Sequence, residues 1–155
     1  MNTLPKNYPD YLFEGNALSW IRNEALAWCH GKGIDIGGGN WSLPGAIPID
    51  LDTEFQVDDF AEQQLDFVFS SHTLEHIANW QQALDEWISK LKIGGILFLY
   101  LPHEEGPWRN CKKHKWIPRA FDIVLVLEHL RCRAIHFTDK PDSYCSFYIV
   151  AKRTG

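Results

Sequence analysis

Three consecutive glycines, Gly37-Gly38-Gly39, close the short apolar run Gly33-Ile34-Asp35-Ile36, and Asp50 closes the next run, Ile47-Pro48-Ile49. Glycines at a strand end let the backbone turn sharply and leave no side chain between it and a ligand. A carboxylate ending the neighbouring strand can accept hydrogen bonds from a pair of vicinal hydroxyls. With these residue types α/β sheets hold an adenosine-containing cofactor. Only residues 40–46 separate the turn from the second run, so no crossover helix of ordinary length fits. Two histidines follow later apolar runs: His72 after 65–70 and His103 after 96–101. A neutral imidazole so placed could take a proton from an acceptor hydroxyl. The plainer alternatives are a loop histidine bonded to backbone for His72, and capping or packing for His76 at the start of a helix.

The segment Arg109-Asn110-Cys111-Lys112-Lys113-His114-Lys115-Trp116 is the one basic run. It reads either as a solvated loop or as a lid over an anionic acceptor such as a phosphorylated sugar or a carboxylate. His103, Cys111 and His114 match no closed tetrahedral spacing and lack an evident fourth ligand, so no metal site is expected.

Alternating elements must position these groups. Residues 16–30 read as a helix, with Leu18, Ile21, Ala25 and Trp28 on one face. Residues 33–36, 46–49 and 65–70 read as strands, with 55–57 a further short one. In 77–92, Ile77, Trp80, Leu84, Trp87, Ile88 and Leu91 recur at helical spacing, making Trp80 and Trp87 core residues, and Gly94-Gly95 reads as the stop. The apolar run 96–101 suits a central strand covered on both faces. Pro118 suits the first turn of a helix to about 130, and 133–138 and 147–152 read as strands around a Pro141-Asp142-Ser143 turn. The expected architecture is a three-layer α/β/α sheet, mostly parallel with an antiparallel C-terminal strand and reduced helices after the first two strands. Ligands in such sheets bind at the carboxyl ends of the strands, where nearly all these polar residues fall.

At 155 residues, 45% hydrophobic and 14% aromatic, the chain reads as a single domain spanning 1–155, in which the helical segment 1–31 covers the sheet. A net charge of −5 argues against general nucleic-acid binding. The four scattered cysteines form no CxxC pair and suit free thiols in a reducing compartment. Residues 1–13 hold no apolar core of signal-peptide length, and no apolar run is long enough for a bilayer. A soluble, cytoplasmic protein is expected.

The chain resembles the class I S-adenosylmethionine-dependent methyltransferases, in particular the small type 11 group. The matching residues are the Asp35–Gly39 turn, Pro48-Ile49-Asp50, the stretch 66–76 with its Leu74-Glu75-His76, and Leu91-Lys92-Ile93-Gly94-Gly95-Ile96-Leu97. The glycine turn alone is a weak signal. Leu-Glu-His followed about twenty residues later by Leu-Lys-x-Gly-Gly and an apolar strand is more specific.

The resemblance implies a Rossmann-like methyltransferase fold, S-adenosylmethionine as cofactor and S-adenosylhomocysteine as product. Gly37, Gly38 and Gly39 would face its methionine and ribose, with Asp35 near the amino group. Asp50 would bind the ribose hydroxyls and Leu51 the adenine, whose amine would meet Asp58 or, by preference, Asp59, which Phe60 follows. Ser70 and His72 would line the methionine end; His103, His114 and Trp116 would lie on the substrate side, with His103 and His72 as candidate bases. The acceptor would be a small molecule or a saccharide-like one, entering an open cleft or enclosed by a second copy of the chain.

The chain departs from the group where Trp41 replaces the usual third glycine, and in its missing crossover helix. A helix N-terminus normally buttresses that loop; Trp41 packing over the site would compensate. A non-catalytic member that binds the cofactor or a protein partner is therefore the alternative. A nicotinamide-dependent oxidoreductase is disfavoured, because Gly37 onward lacks Gly-x-Gly-x-x-Gly.

Overall fold

The computed structural model describes residues 16–155, without the side chains of Arg109 and Asn110. Residues 1–15 of the expected N-terminal segment lie outside the described residues. The elements run α1 (Leu18–Trp28), β1 (Gly33–Ile36), β2 (Ile47–Ile49), β3 (Leu65–Ser71), α2 (Trp80–Ser89), β4 (Leu91–Pro102), α3 (Ala120–His129), β5 (Cys132–Phe137) and β6 (Ser146–Arg153). The strands form one six-stranded sheet in the order β2-β1-β3-β4-β6-β5. β1 pairs parallel with both β2 and β3, and β3 with β4; β6 is antiparallel to β4 and β5.

Side chains alternate across a strand, so one run supplies both faces of the sheet. Val68, Leu97, Leu99 and Leu101 point to one face and pack with Leu84, Trp87 and Ile88 of α2 and Ile123 and Leu127 of α3. Phe67, Phe69, Phe98 and Tyr100 point to the other face, where Leu18, Ile21 and Ala25 of α1 cover them. The three expected layers are therefore present. No helix follows β1, and β2 is followed only by the 3-10 turn Val57–Asp59, so α1 covers sheet that crossover helices would otherwise bury.

Two local expectations fail for identifiable reasons. Residues 55–57 form no strand, because the Gln56 N–H is bonded to Asp59 Oδ2 at 2.7 Å and the chain closes into the turn instead. The helix expected over 77–92 ends at Ser89, and Gly94-Gly95 do not stop it. Leu91 already pairs with Leu65, while Phe67 pairs with Ile96, so the residues between bulge out of β4. Gly94 sits there at φ +86 and Ile93 is 61% exposed. Trp87 is core as expected, whereas Trp80 is only partly buried and packs at the core's edge. The four cysteines are all free thiols, and among the described residues no helix is long and apolar enough to cross a membrane.

Leu97 is fully buried at the centre of this arrangement. Leu97→Ala is expected to lower stability by about 2–5 kcal/mol, read as a lower urea midpoint with an unchanged slope.

Candidate active site

Strand order reverses at β1, which has β2 on one side and β3 on the other, and such a switch point opens a crevice at the strands' carboxyl ends. The glycine turn lies there. Gly37 (φ +80) donates its N–H to Ile49 O at 2.7 Å, which ties the turn to the end of β2. A Cβ on Gly37 would run into the Thr73 hydroxyl, so glycine is required for space as well as for backbone angle. Asp50 closes the other side: its Oδ2 accepts the Gly39 N–H at 3.0 Å and its Oδ1 the Leu51 N–H at 2.8 Å. Each carboxylate oxygen keeps a further lone pair for a ligand hydroxyl. Leu51 is 93% exposed beside it. Ser70 donates to Ile36 O at 3.0 Å and joins β3 to β1 at the switch point.

Asp35 is fully buried beneath the turn. Its Oδ2 accepts the Leu43 N–H at 2.7 Å, while its Oδ1 has no hydrogen-bond partner among the described residues. Burial pushes its carboxyl up to about 6, against the Leu43 hydrogen bond; the nearby Asp50 charge raises it further and the Ser42 hydroxyl lowers it. Trp41 is 53% exposed and so does not seal the turn.

Of the expected adenine-side residues, Asp58, Asp59 and Phe60 have partners within the protein. Asp59 caps its own turn through Gln56, and Asp58 faces Glu86 of α2 closely enough to raise that carboxyl. The Phe60 ring is buried in the core, with Phe55 tilted over it at 6.1 Å.

A cavity of about 190 Å³ is lined by Pro102, His103, Trp108, His114, Trp116 and their neighbours. The segment that carries His114 and Trp116 is pinned in place. Lys115 N–H bonds Glu75 O at 2.8 Å, Trp116 Nε1–H bonds Leu74 O at 2.9 Å, and the Trp116 ring stacks on Trp80 at 4.1 Å. The basic run is thus part of the cavity wall at its His114–Trp116 end, while Lys112 and Lys113 are exposed.

The two candidate bases differ in what their rings can do. His103 is 6% exposed; its Nε2 lies 2.6 Å from Asp139 O and its Nδ1 accepts the Glu105 N–H at 3.0 Å. Both ring nitrogens are therefore committed to backbone. His72 has φ +49 and sits among the rings of Tyr100, Trp108 and Tyr144 at 5.2–5.4 Å. Ser146 Oγ donates to Tyr144 O, so it accepts from His72 Nε2–H at 2.8 Å. This leaves His72 Nδ1 as a lone-pair acceptor. Burial, and then the neighbouring His114 and His76, push its imidazole down to about 3, so it is neutral and weakly basic.

Sequence reasoning missed Glu75 and gave His76 only a capping or packing role. Glu75 is completely buried, and burial pushes its carboxyl up to about 8. Burial and His76 push His114 down to about 4. The available signal was Leu74-Glu75-His76 itself, an acid beside a histidine between Leu74 and Ile77.

Asp35 makes a pH prediction. Its folded value lies above the unfolded one, so its contribution to stability is full below about 3.8 and is lost as pH rises through about 6. Asp35→Asn, which keeps an oxygen for Leu43, should lack that decline. The measurement is unfolding free energy of both proteins across this interval.

Residues 46–99 match the family model described as "Methyltransferase domain". No curated protein matches the chain. Solved structures match in fold at low identity. A chain of the Haloferax volcanii complex between a methyltransferase activator and its methyltransferase aligns with TM-score 0.69 and 14% identity, over 94% of this chain and 95% of that one. An S-adenosylmethionine-dependent methyltransferase from Thermotoga maritima aligns with TM-score 0.68 and 12% identity, over 93% and 92%. The Burkholderia thailandensis 1,6-didemethyltoxoflavin-N1-methyltransferase, solved with its substrate and S-adenosylhomocysteine, gives 0.66 and 13%, over 94% and 82%. With the six-stranded sheet, the glycine turn at its switch point and the match over 46–99, this chain has the fold of the class I S-adenosylmethionine-dependent methyltransferases.

Proposed function

We propose that the chain binds S-adenosylmethionine at the β1/β3 switch point and transfers its methyl group to an oxygen of a small, saccharide-like acceptor held beside His103, His114 and Trp116. The observation that carries this reading is the Asp50 carboxylate, held by the Gly39 and Leu51 N–H groups with lone pairs left over for vicinal hydroxyls. Three further features fit the cofactor. Gly39 presents bare, exposed main chain, Asp35 Oδ1 is a buried acceptor that a ligand ammonium would satisfy, and Leu51 offers an exposed apolar face. The Burkholderia thailandensis neighbour was solved with S-adenosylhomocysteine, which supports the same ligand class here.

A bound sulfonium supplies an activated methyl group, so alignment by the protein provides much of the rate. The aromatic walls of the cavity, with a few polar groups among them, suit a compact acceptor with hydroxyls. His72 Nδ1, neutral at working pH, is the open acceptor for a hydroxyl proton.

A second reading is cofactor binding without transfer. It is favoured by the commitment of both His103 nitrogens to backbone and by the weak basicity of His72.

Calorimetry with S-adenosylmethionine and S-adenosylhomocysteine should give saturable heat, and none would sink both readings. Asp50→Ala should weaken binding about 10–100-fold, the worth of hydrogen bonds to a charged group. Asp50→Asn keeps an acceptor oxygen and should lose less. Binding combined with no labelled methyl transferred to any component of a metabolite extract would establish the second reading.

A further inference from the structure

Glu75 is the least comfortable residue in the molecule. Its side chain is 0% exposed, and neither carboxylate oxygen has a hydrogen-bond partner among the described residues. A buried carboxylate costs several kcal/mol unless it is protonated or meets a cation. The nearest group is the His76 ring, with Nε2 3.4 Å from Glu75 Oε1. On its other side His76 Nδ1 lies 3.1 Å from Lys113 O. A carbonyl oxygen only accepts, so Nδ1 carries a proton, and in the neutral ring Nε2 turns a lone pair toward Glu75. A histidine whose far N–H is held by a backbone carbonyl is the arrangement that orients a metal ligand.

His114 completes the set. Its ring meets His76 edge-on at 4.8 Å, and one donor atom from each of Glu75, His76 and His114 lies within 4.8 Å of the others. The three come from two segments of the chain. Glu75 and His76 share the turn Leu74–His76, and the clamps from Lys115 N–H to Glu75 O and from Trp116 Nε1–H to Leu74 O press His114 against it. With Glu75 ionised and one ring-nitrogen lone pair from each histidine, a modest side-chain adjustment would close these three atoms onto one ion at about 2.0–2.2 Å per bond.

We propose that Glu75, His76 and His114 bind a divalent transition-metal ion. Two imidazoles and one carboxylate select zinc, cobalt, iron or manganese over calcium or magnesium. His114 also lines the cavity, so the ion's remaining positions open toward the proposed acceptor site and can be filled by water or by acceptor oxygens. That last consequence rests on the acceptor lying in the cavity; the ion site itself does not.

The test is titration of chelator-treated full-length protein with Co(II), without any methyl donor, followed by visible absorption and by competition with Zn(II). One equivalent should bind saturably, with the ligand-field bands of nitrogen coordination. His114→Ala and Glu75→Gln should each weaken binding by more than the roughly 10–100-fold loss typical of an outer-shell change. Cys111→Ser, altering a buried thiol of the same segment, should leave binding unchanged. Zn(II) should raise the melting temperature of the wild type but not of His114→Ala. Glu75→Gln preserves shape and removes only the buried charge, so its folded state can be checked by melting alone. Absence of saturable binding, or binding equal in wild type and His114→Ala, would overturn the proposal. Failure of cofactor binding would leave it untouched, because the titration contains none.

Discussion

Burial of both faces of the central strands is the constraint on which the rest of the molecule depends. Val68, Leu97 and Leu99 on one face and Phe69, Phe98 and Tyr100 on the other are wholly inaccessible to water. Backbone groups in such a sheet are satisfied only by their neighbours in the ladder, and side-chain polar groups have almost no place within it. Polar chemistry is therefore displaced to the strands' carboxyl ends. Gly37, Asp50, Ser70, His72 and His103 all lie at those ends. Asp35, fully buried within β1, has its carboxyl pushed up by burial and one oxygen unsatisfied among the described residues.

Compression of the first half of the sheet is made up elsewhere. With no helix between β1 and β2, the turn is braced by Gly37 N–H on Ile49 O and by Asp50 on the Gly39 and Leu51 N–H groups. Helix α1 covers the aromatic face, with Leu18, Ile21 and Ala25 against Phe67, Phe69, Phe98 and Tyr100. Thr73 fills the space that a side chain at Gly37 would need, and the chain then runs on through Glu75 and His76 to the cavity wall. One short stretch, from Ser70 to His76, thus links the glycine turn to the cluster of histidines.

Much of this was legible in the residues. The apolar runs 65–70 and 96–101, helical spacing in α1 and α2, and Pro118 ahead of α3 located most elements to within a few residues, and the glycine turn fell where strand order reverses. The errors arose where local pattern and tertiary pairing compete. Leu91 continues the helical spacing of α2, yet pairing with Leu65 draws it into β4 and leaves Lys92 to Gly95 as a bulge. Residues 55–57 are apolar enough for a strand but lack a neighbouring edge, and Asp59 captures the Gln56 N–H instead.

What the sequence by itself determined was the scaffold and the strand-end turn, because periodicity and glycine placement act over a few residues. Tertiary structure alone decided how the histidines are used. His72 and His103 look alike in sequence, each just past an apolar run. Only the packing of 139–146 gives His72 a hydroxyl partner at Ser146 and an open Nδ1, and binds the Nε2 of His103 to Asp139 O. Likewise, His114 lies 38 residues from His76 in the chain (114 − 76), and only the Lys115 and Trp116 hydrogen bonds bring it to Glu75. Hydrogen-bond partners and burial depend on groups distant in sequence, and no local pattern encodes them.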